Sequence, residues 1–293
     1  MTAKVAFLGL GVMGFPMAGW LSRADHEVTV FNRTQAKAQA WSEQYRGRVV
    51  ATPAEAAAGA DIVFSCVGDD PDLREIVLAQ DGALNSMRSA TIFVDHTTAS
   101  AGLAREIAAA GQARGIRCLD APVSGGQAGA EQGRLTVMAG GDAAAFDRVA
   151  PIIGAYSHNV QLLGPAGCGQ LTKMVNQIAI AGLVQGLAEA LNFASRAGLD
   201  AESVIGVISK GAAQSWQMEN RWQTMADGEF DFGFAVEWMR KDLRICLQEA
   251  RSNGAELPVA ALVDQFYADI TGMGGGRWDT SSLIARLNRH DKV

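Results

Sequence analysis

The chain has 293 residues, 48% apolar and 19% charged, with 33 glycines and a net charge of −6. That composition belongs to a core-forming globular protein and excludes a disordered one. The acidic balance argues against a nucleic-acid or anionic-membrane footprint over the whole surface. The length accommodates one large domain or two ordinary ones.

The N-terminus enters "KVAFLGLG" at once, without the basic region, apolar core or small-residue cleavage site of an export signal. It reads as a first strand. β-rich runs follow at 4–10, 27–33, 61–68 and 91–98, separated by Ala-rich helical stretches. Continuous apolar strands spaced by helices predict a parallel sheet covered on both faces. Further strands are predicted in "RCLDAPVSG" (117–125), "RLTVMAGG" (134–141) and "NVQLLG" (159–164).

After Gly164-Pro165 the strand-like runs stop, and helical periodicity takes over at about 169–196, 200–210, 234–253 and 258–271. The shift divides the chain into an α/β half, 1–164, and a helical half, 165–293. The first of these helices is apolar nearly all round, which predicts a course through the middle of the second half. Its longest purely apolar run, Ile178 to Val184, is far below a membrane span. The C-terminal "RLNRHDKV" reads as a frayed polar tail.

"GLGVMG" places Gly9, Gly11 and Gly14 at G-x-G-x-x-G spacing between a strand and a helix. Gly9 serves the tight turn, Gly11 lets backbone approach a pyrophosphate, and Gly14 lets helix and strand pack closely. Leu10, Val12 and Met13 complete the loop, and the helix N-terminus offers its N–H groups to phosphate. At the end of the second strand, where an NAD site carries a carboxylate, this chain has Asn32, Arg33 and Thr34. A guanidinium fork and a hydroxyl suit a 2′-phosphate, so NADP is the expected cofactor with NAD as the alternative. The competing reading makes Arg33 a solvated arginine. Val67 in "SCVGDD" and Thr97 and Thr98 in "DHTT" end strands at the edge where ligands sit, and are expected to line the cofactor. His96 is isolated and is given no catalytic role.

In "DAPVSGGQAGAEQG", Ser124, Gly125 and Gly126 combine a hydroxyl with unobstructed backbone donors suited to a carboxylate. An ordinary Gly-Gly turn is the simpler reading. Lys173 shares a helical face with Asn176, Gln177, Ile180 and Val184, and Lys241 one with Phe234, Trp238 and Ile245. Each lysine either snorkels outward or points into a cleft against an anion. Burial beside positive charge favours the neutral form of a lysine, which lets it donate and recover a proton near neutral pH. Trp216 and Arg221, in "QSWQMENRW", are expected to shape a pocket or to pack within the helical half.

The set "GLGVMG", "FNRT", "DAPVSGG", "GQLTKMVNQ" and "KDL" resembles the β-hydroxyacid dehydrogenase family over essentially the whole chain. That family includes 3-hydroxyisobutyrate dehydrogenase, tartronate semialdehyde reductase and the glyoxylate/succinic semialdehyde reductases. The resemblance implies an α/β Rossmann dinucleotide-binding domain followed by an all-α domain reached through a long helix. It implies Lys173 as general acid/base, and Ser124, Gly125 and Gly126 holding the substrate carboxylate, with Asn176 and Gln177 helping to orient it. Lys241 and Asp242 would close over substrate and cofactor. Many members have a second Asn where this chain has Gln177. Two alternatives stand beside this reading. Imine reductases of the same fold share "NRT" but carry a different residue where Lys173 sits, and a cofactor-binding scaffold could have lost catalysis.

No metal site is expected, because Cys66, Cys118, Cys168 and Cys246 are scattered singly. The expected protein is cytoplasmic, a homodimer or homotetramer, acting on a small molecule without nucleic acid or membrane.

Overall fold

A computed structural model describes residues 2–288. The last part of the predicted polar tail, 289–293, lies outside them. The chain divides after Lys173 into two compact units.

The first unit opens as β-α repeats: β1 (Lys4–Leu8), α1 (Gly14–Arg23), β2 (Glu27–Phe31), α2 (Gln35–Gln44), β3 (Arg48–Val49), α3 (Pro53–Ala57), β4 (Ile62–Ser65) and α4 (Asp70–Leu78). It continues through β5 (Ile92–Asp95), α5 (Ala101–Gln112), β6 (Arg117–Asp120), β7 (Val123–Ser124), α6 (Gly126–Glu131), β8 (Leu135–Gly141), α7 (Ala143–Ile153) and β9 (Ser157–Leu162). The sheet runs β3-β2-β1-β4-β5-β6-β8-β7, with β9 paired to β8.

Pairing is parallel from β3 through to β6. The strands on which a parallel sheet is predicted thus pair as expected; beyond them β8 runs antiparallel to both β6 and β7, and β9 is again parallel to β8. The stretch 117–125 is two short strands, not one. Pro122 cannot donate to the ladder, and the chain turns there before pairing again at Val123 and Ser124.

Side chains alternate across the strands as the pleat requires. Val5, Phe7, Val28, Val30, Phe64 and Val94 enter one core with Met17, Leu21, Trp41 and Tyr156. Ala6, Leu8, Val63 and Phe93 enter the other with Leu73, Val77, Leu103 and Ile107. Strand order reverses direction at β1, which has β2 on one side and β4 on the other. In open α/β sheets the crevice beyond such a pair is where dinucleotides bind.

The second unit consists of α8 (Cys168–Arg196, whose first residues belong to the first unit), α9 (Ala201–Ile208), α10 (Trp216–Asp227), α11 (Val236–Asn253), α12 (Pro258–Gly272) and α13 (Leu283–Leu287). α8 buries Ala181, Val184, Ala188 and Leu191 against Met239 and Leu243 of α11, Val263 and Tyr267 of α12, and Leu283. It is not enclosed on all sides, contrary to expectation. Val175, Leu183 and Phe193 are 67%, 44% and 71% exposed, forming with Ala179, Gly186 and Ala190 one stripe along its outer side. By length and composition alone α8 would also meet the requirement for a membrane span.

Candidate active site

The glycine loop follows β1 at the point where strand order reverses. Gly9 has φ of +97°, and a Cβ there would overlap the Cys66 carbonyl at the end of β4. A Cβ on Gly14 would overlap the Gly9 carbonyl, so α1 sits directly on the turn. Gly11 is different: nothing lies within 4 Å of its ideal Cβ. No side chain caps the N-terminus of α1. An open backbone facing an uncapped helix terminus is the geometry a pyrophosphate fits. Of the loop's other residues, Leu10 is buried in the core, Met13 packs against that core and Val12 is exposed.

Asn32 binds the two loops together, its Oδ1 accepting the Leu10 N–H at 2.8 Å and its Nδ2 donating to the Thr34 carbonyl at 2.9 Å. Arg33 projects from the same edge with a 74% exposed side chain. Nη1 pairs with Asp72 of α4 at 2.9 Å and lies 3.7 Å from Glu75. Screening makes such an exposed pair worth at most about 1 kcal/mol, so a doubly charged phosphate can compete for the guanidinium.

Val67 and Thr97 meet on the next two strand ends, the Val67 N–H donating to Thr97 Oγ1 at 3.0 Å. Thr97 N–H in turn donates to Asp95, which also accepts from Ser65 Oγ at 2.7 Å. Burial raises the Asp95 carboxyl to about 7, and these hydrogen bonds only partly offset it. His96 is buried as a packing residue. Its Nδ1–H donates to the Ala121 carbonyl at 2.6 Å, Nε2 accepts from the Tyr156 hydroxyl at 2.8 Å, and the ring stacks on Phe64.

Ser124 ends β7 half-buried, and the chain then passes through φ of +132° at Gly125 and +60° at Gly126 into α6. A Cβ on Gly126 would meet nothing within 4 Å. The motif's Asp120, not singled out from the sequence, has a distinct task. Its Oδ1 accepts the Gly167 N–H at 2.7 Å and its Oδ2 the Gln170 N–H at 2.8 Å, so it anchors the start of α8. Burial raises this carboxyl to about 6 against the pull of those donors. Lys173, one turn further along α8, is 7% exposed.

In the second unit, Asn176 Nδ2 donates to Gln177 Oε1 at 2.8 Å, and Gln177 Nε2 donates to Asp242 Oδ2 at 2.6 Å. Lys241 Nζ lies 2.8 Å from Asp242 Oδ1. Asp242 therefore holds both an amide and an ammonium while itself buried. Of the apolar partners expected beside Lys241, Phe234 precedes α11, whereas Trp238 and Ile245 lie on it. Trp216 is 54% exposed, with the Arg221 guanidinium 4.8 Å from its ring and 5.1 Å from that of Phe232. Arg221 also lies 3.5 Å from buried Asp279, so the pair braces the helical unit.

Residues 4–164 match the family model described as the NAD binding domain of 6-phosphogluconate dehydrogenase. Residues 167–287 match that described as NAD-binding of NADP-dependent 3-hydroxyisobutyrate dehydrogenase. The chain belongs to the β-hydroxyacid dehydrogenase family. This dehydrogenase is 66% identical to an uncharacterized oxidoreductase of Shewanella frigidimarina, over 98% of this chain and 99% of that one. It is 34% identical to 2-hydroxy-3-oxopropionate reductase of Escherichia coli, over 97% of each. Among solved structures, Mycobacterium tuberculosis 3-hydroxyisobutyrate dehydrogenase with L-serine superposes with a TM-score of 0.90 at 31% identity, covering 98% of this chain and 99% of that one. The dehydrogenase is thus an NAD(P)-dependent oxidoreductase with a Rossmann domain followed by a helical one.

Burial holds the His96 imidazole down to about 4, below its ordinary 6.5. A group with a depressed folded value contributes stability that is full above 6.5 and is lost as pH falls toward 4. The loss is on the order of 3 kcal/mol. Asp95, raised to about 7, acts in the opposite sense and loses its contribution as pH rises from about 4 to 7. Going from pH 7 to pH 5, urea unfolding should therefore show stability changing more favourably in His96→Asn than in the wild type, with Asp95 and Asp120 common to both. Equal changes would contradict a neutral, buried His96.

Proposed function

We propose that this dehydrogenase prefers NADP and interconverts a small 3-hydroxyacid and its semialdehyde, with Lys173 as general acid/base. The observation that carries the reading is Lys173 itself, a buried lysine on a mostly apolar helix, one turn after the carboxylate-anchored start of α8. A charge is seldom buried so without a task. When bound, the nicotinamide supplies or takes up hydride at its C4.

In reduction, Lys173 gives its proton to the carbonyl oxygen as the carbon becomes tetrahedral. In oxidation, its neutral amine removes the hydroxyl proton. Ser124 Oγ and the backbone N–H groups of Gly125 and Gly126 hold the substrate carboxylate. In this reading Asn176 helps to orient it; within the second unit Gln177 accepts from Asn176 and donates to Asp242, which also pairs with Lys241. Trp216 borders the variable end of the substrate.

The NADP preference rests on Arg33 and Thr34 at the end of β2, with no carboxylate where a ribose 2′-hydroxyl would be read. Gly9 to Gly14, Asn32, Val67 and Thr97 form the remainder of the cofactor wall. The exposed apolar stripe from Val175 to Phe193 supports burial against a second copy, in a homodimer or homotetramer. The four cysteines, scattered singly along the chain, suit a reducing, cytoplasmic setting. No observation favours imine reduction or a non-catalytic scaffold.

A panel of 3-hydroxyisobutyrate, 2-hydroxy-3-oxopropionate, succinic semialdehyde, glyoxylate and a cyclic imine, each with both cofactors, tests the reading by absorbance of the reduced nicotinamide. Turnover should appear with a semialdehyde or hydroxyacid and NADP(H). Lys173→Ala should lower kcat by at least about 10³-fold with NADPH affinity nearly intact. Arg33→Ala should weaken NADPH about 10-fold and leave NADH almost unchanged. Turnover of the imine alone, persistence of activity in Lys173→Ala, or a wide preference for NADH would each overturn the corresponding part. Light scattering should give a dimer or tetramer, and Leu183→Glu should shift it toward monomer. A wild-type monomer would contradict the assembly.

A further inference from the structure

We propose that Gln170 is a positioning residue for the reaction, locking the start of α8 to the cofactor loop after β5 so that Lys173 keeps its place. The inference rests on the reading of Lys173 as acid/base.

Gln170 is completely buried. A leucine or methionine would fill such a helical position at lower cost, since a buried amide must satisfy both its ends. Here both ends are satisfied, and by one short segment. Oε1 accepts the Ala99 N–H at 3.0 Å, and Nε2 donates to the Thr97 carbonyl at 2.7 Å. The side chain thus pairs with the backbone of residues 97 and 99 as a strand neighbour would.

The backbone N–H of the same residue is held by Asp120 at the end of β6. Position 170 is therefore tied to the ends of two adjacent strands, by its side chain to one and by its backbone to the other. Thr97 is in turn bonded to Val67 and Asp95. One hydrogen-bonded chain then runs from the loop after β4, through Thr97 and Gln170, into the first turn of α8. All of it lies within the first unit, and Lys173 follows three residues on.

Two bonds at different points on the side chain set both the rotation and the axial register of this turn, which packing alone fixes less sharply. Without them the helix can slip by a fraction of a turn while remaining folded. A displacement of about 1 Å at a reacting group costs on the order of 10²-fold in rate.

The test compares Gln170→Met and Gln170→Glu with the wild type and with Lys173→Ala. It uses NADPH and 2-hydroxy-3-oxopropionate, or whichever semialdehyde turns over fastest. Gln170→Met, of similar volume, should lower kcat by about 10–100-fold while the NADPH dissociation constant stays within about 3-fold. The primary isotope effect with 4-deuterated NADPH should rise as hydride transfer becomes more limiting. Burial raises a carboxyl pKa, and the protonated carboxyl that Gln170→Glu introduces has both a donor and an acceptor. Gln170→Glu should therefore recover toward wild-type kcat at about pH 5 and fall away near pH 8 more steeply than the wild type does.

A Gln170→Met enzyme with kcat within about 2-fold of wild type, beside an inactive Lys173→Ala, overturns this proposal alone. So does a parallel fall in melting temperature, NADPH affinity and kcat with no recovery in Gln170→Glu, which marks a purely structural role. Turnover persisting in Lys173→Ala overturns the acid/base reading first, and this inference with it.

Discussion

The grip of the Asp120 carboxylate on the first turn of α8 is the constraint on which the candidate site depends. A buried carboxylate is costly, and burial alone raises this one toward neutrality. The N–H groups of Gly167 and Gln170 offset that cost, and a helix N-terminus is where a negative charge is best placed. The cost and its compensation together fix one location. The first turn of α8 is thereby held at the end of β6, whose last residue, Asp120, lies four residues before Ser124.

The same pattern of connection recurs in the second unit. Asp242 is buried with Gln177 on one oxygen and Lys241 on the other. Polar side chains drawn into apolar surroundings hold one another in fixed orientations. In the first unit Ser65, Asp95 and Thr97 are joined in the same way, and His96 is held separately by the Ala121 carbonyl and the Tyr156 hydroxyl.

Much of this is legible in the residues alone. The apolar strand runs, the glycine spacing and the change of texture after Gly164 define the Rossmann domain and the helices that follow. What escapes has physical causes. β3 has two residues and carries no periodic signal. Pro122 breaks a run of strand formers from within, so β6 and β7 merge unless its missing donor is weighed. α10 goes unrecognised although its caps are present: Ser215 Oγ accepts the Met218 N–H at 3.1 Å, and Gly228 ends the helix in the left-handed region. The apolar outer side of α8 reads as core, because composition does not separate burial inside one chain from an uncovered stripe. Asp120 and Gln170 stand in the quoted motifs, and Gln170 poses the same question as Lys173, a polar group on an apolar helix. The pairing of Arg33 with Asp72 joins residues far apart in sequence, and no local pattern announces it.

The central claim is that Lys173 meets the reacting oxygen, and a crystal structure of the ternary complex with NADP and a bound hydroxyacid tests it most directly. The account predicts Lys173 Nζ within about 3 Å of the substrate oxygen on the carbon facing nicotinamide C4, with the carboxylate on Ser124 and the following glycines. An acid bound against C4 with its oxygen served by another group, and the Lys173 amine directed elsewhere, would contradict it.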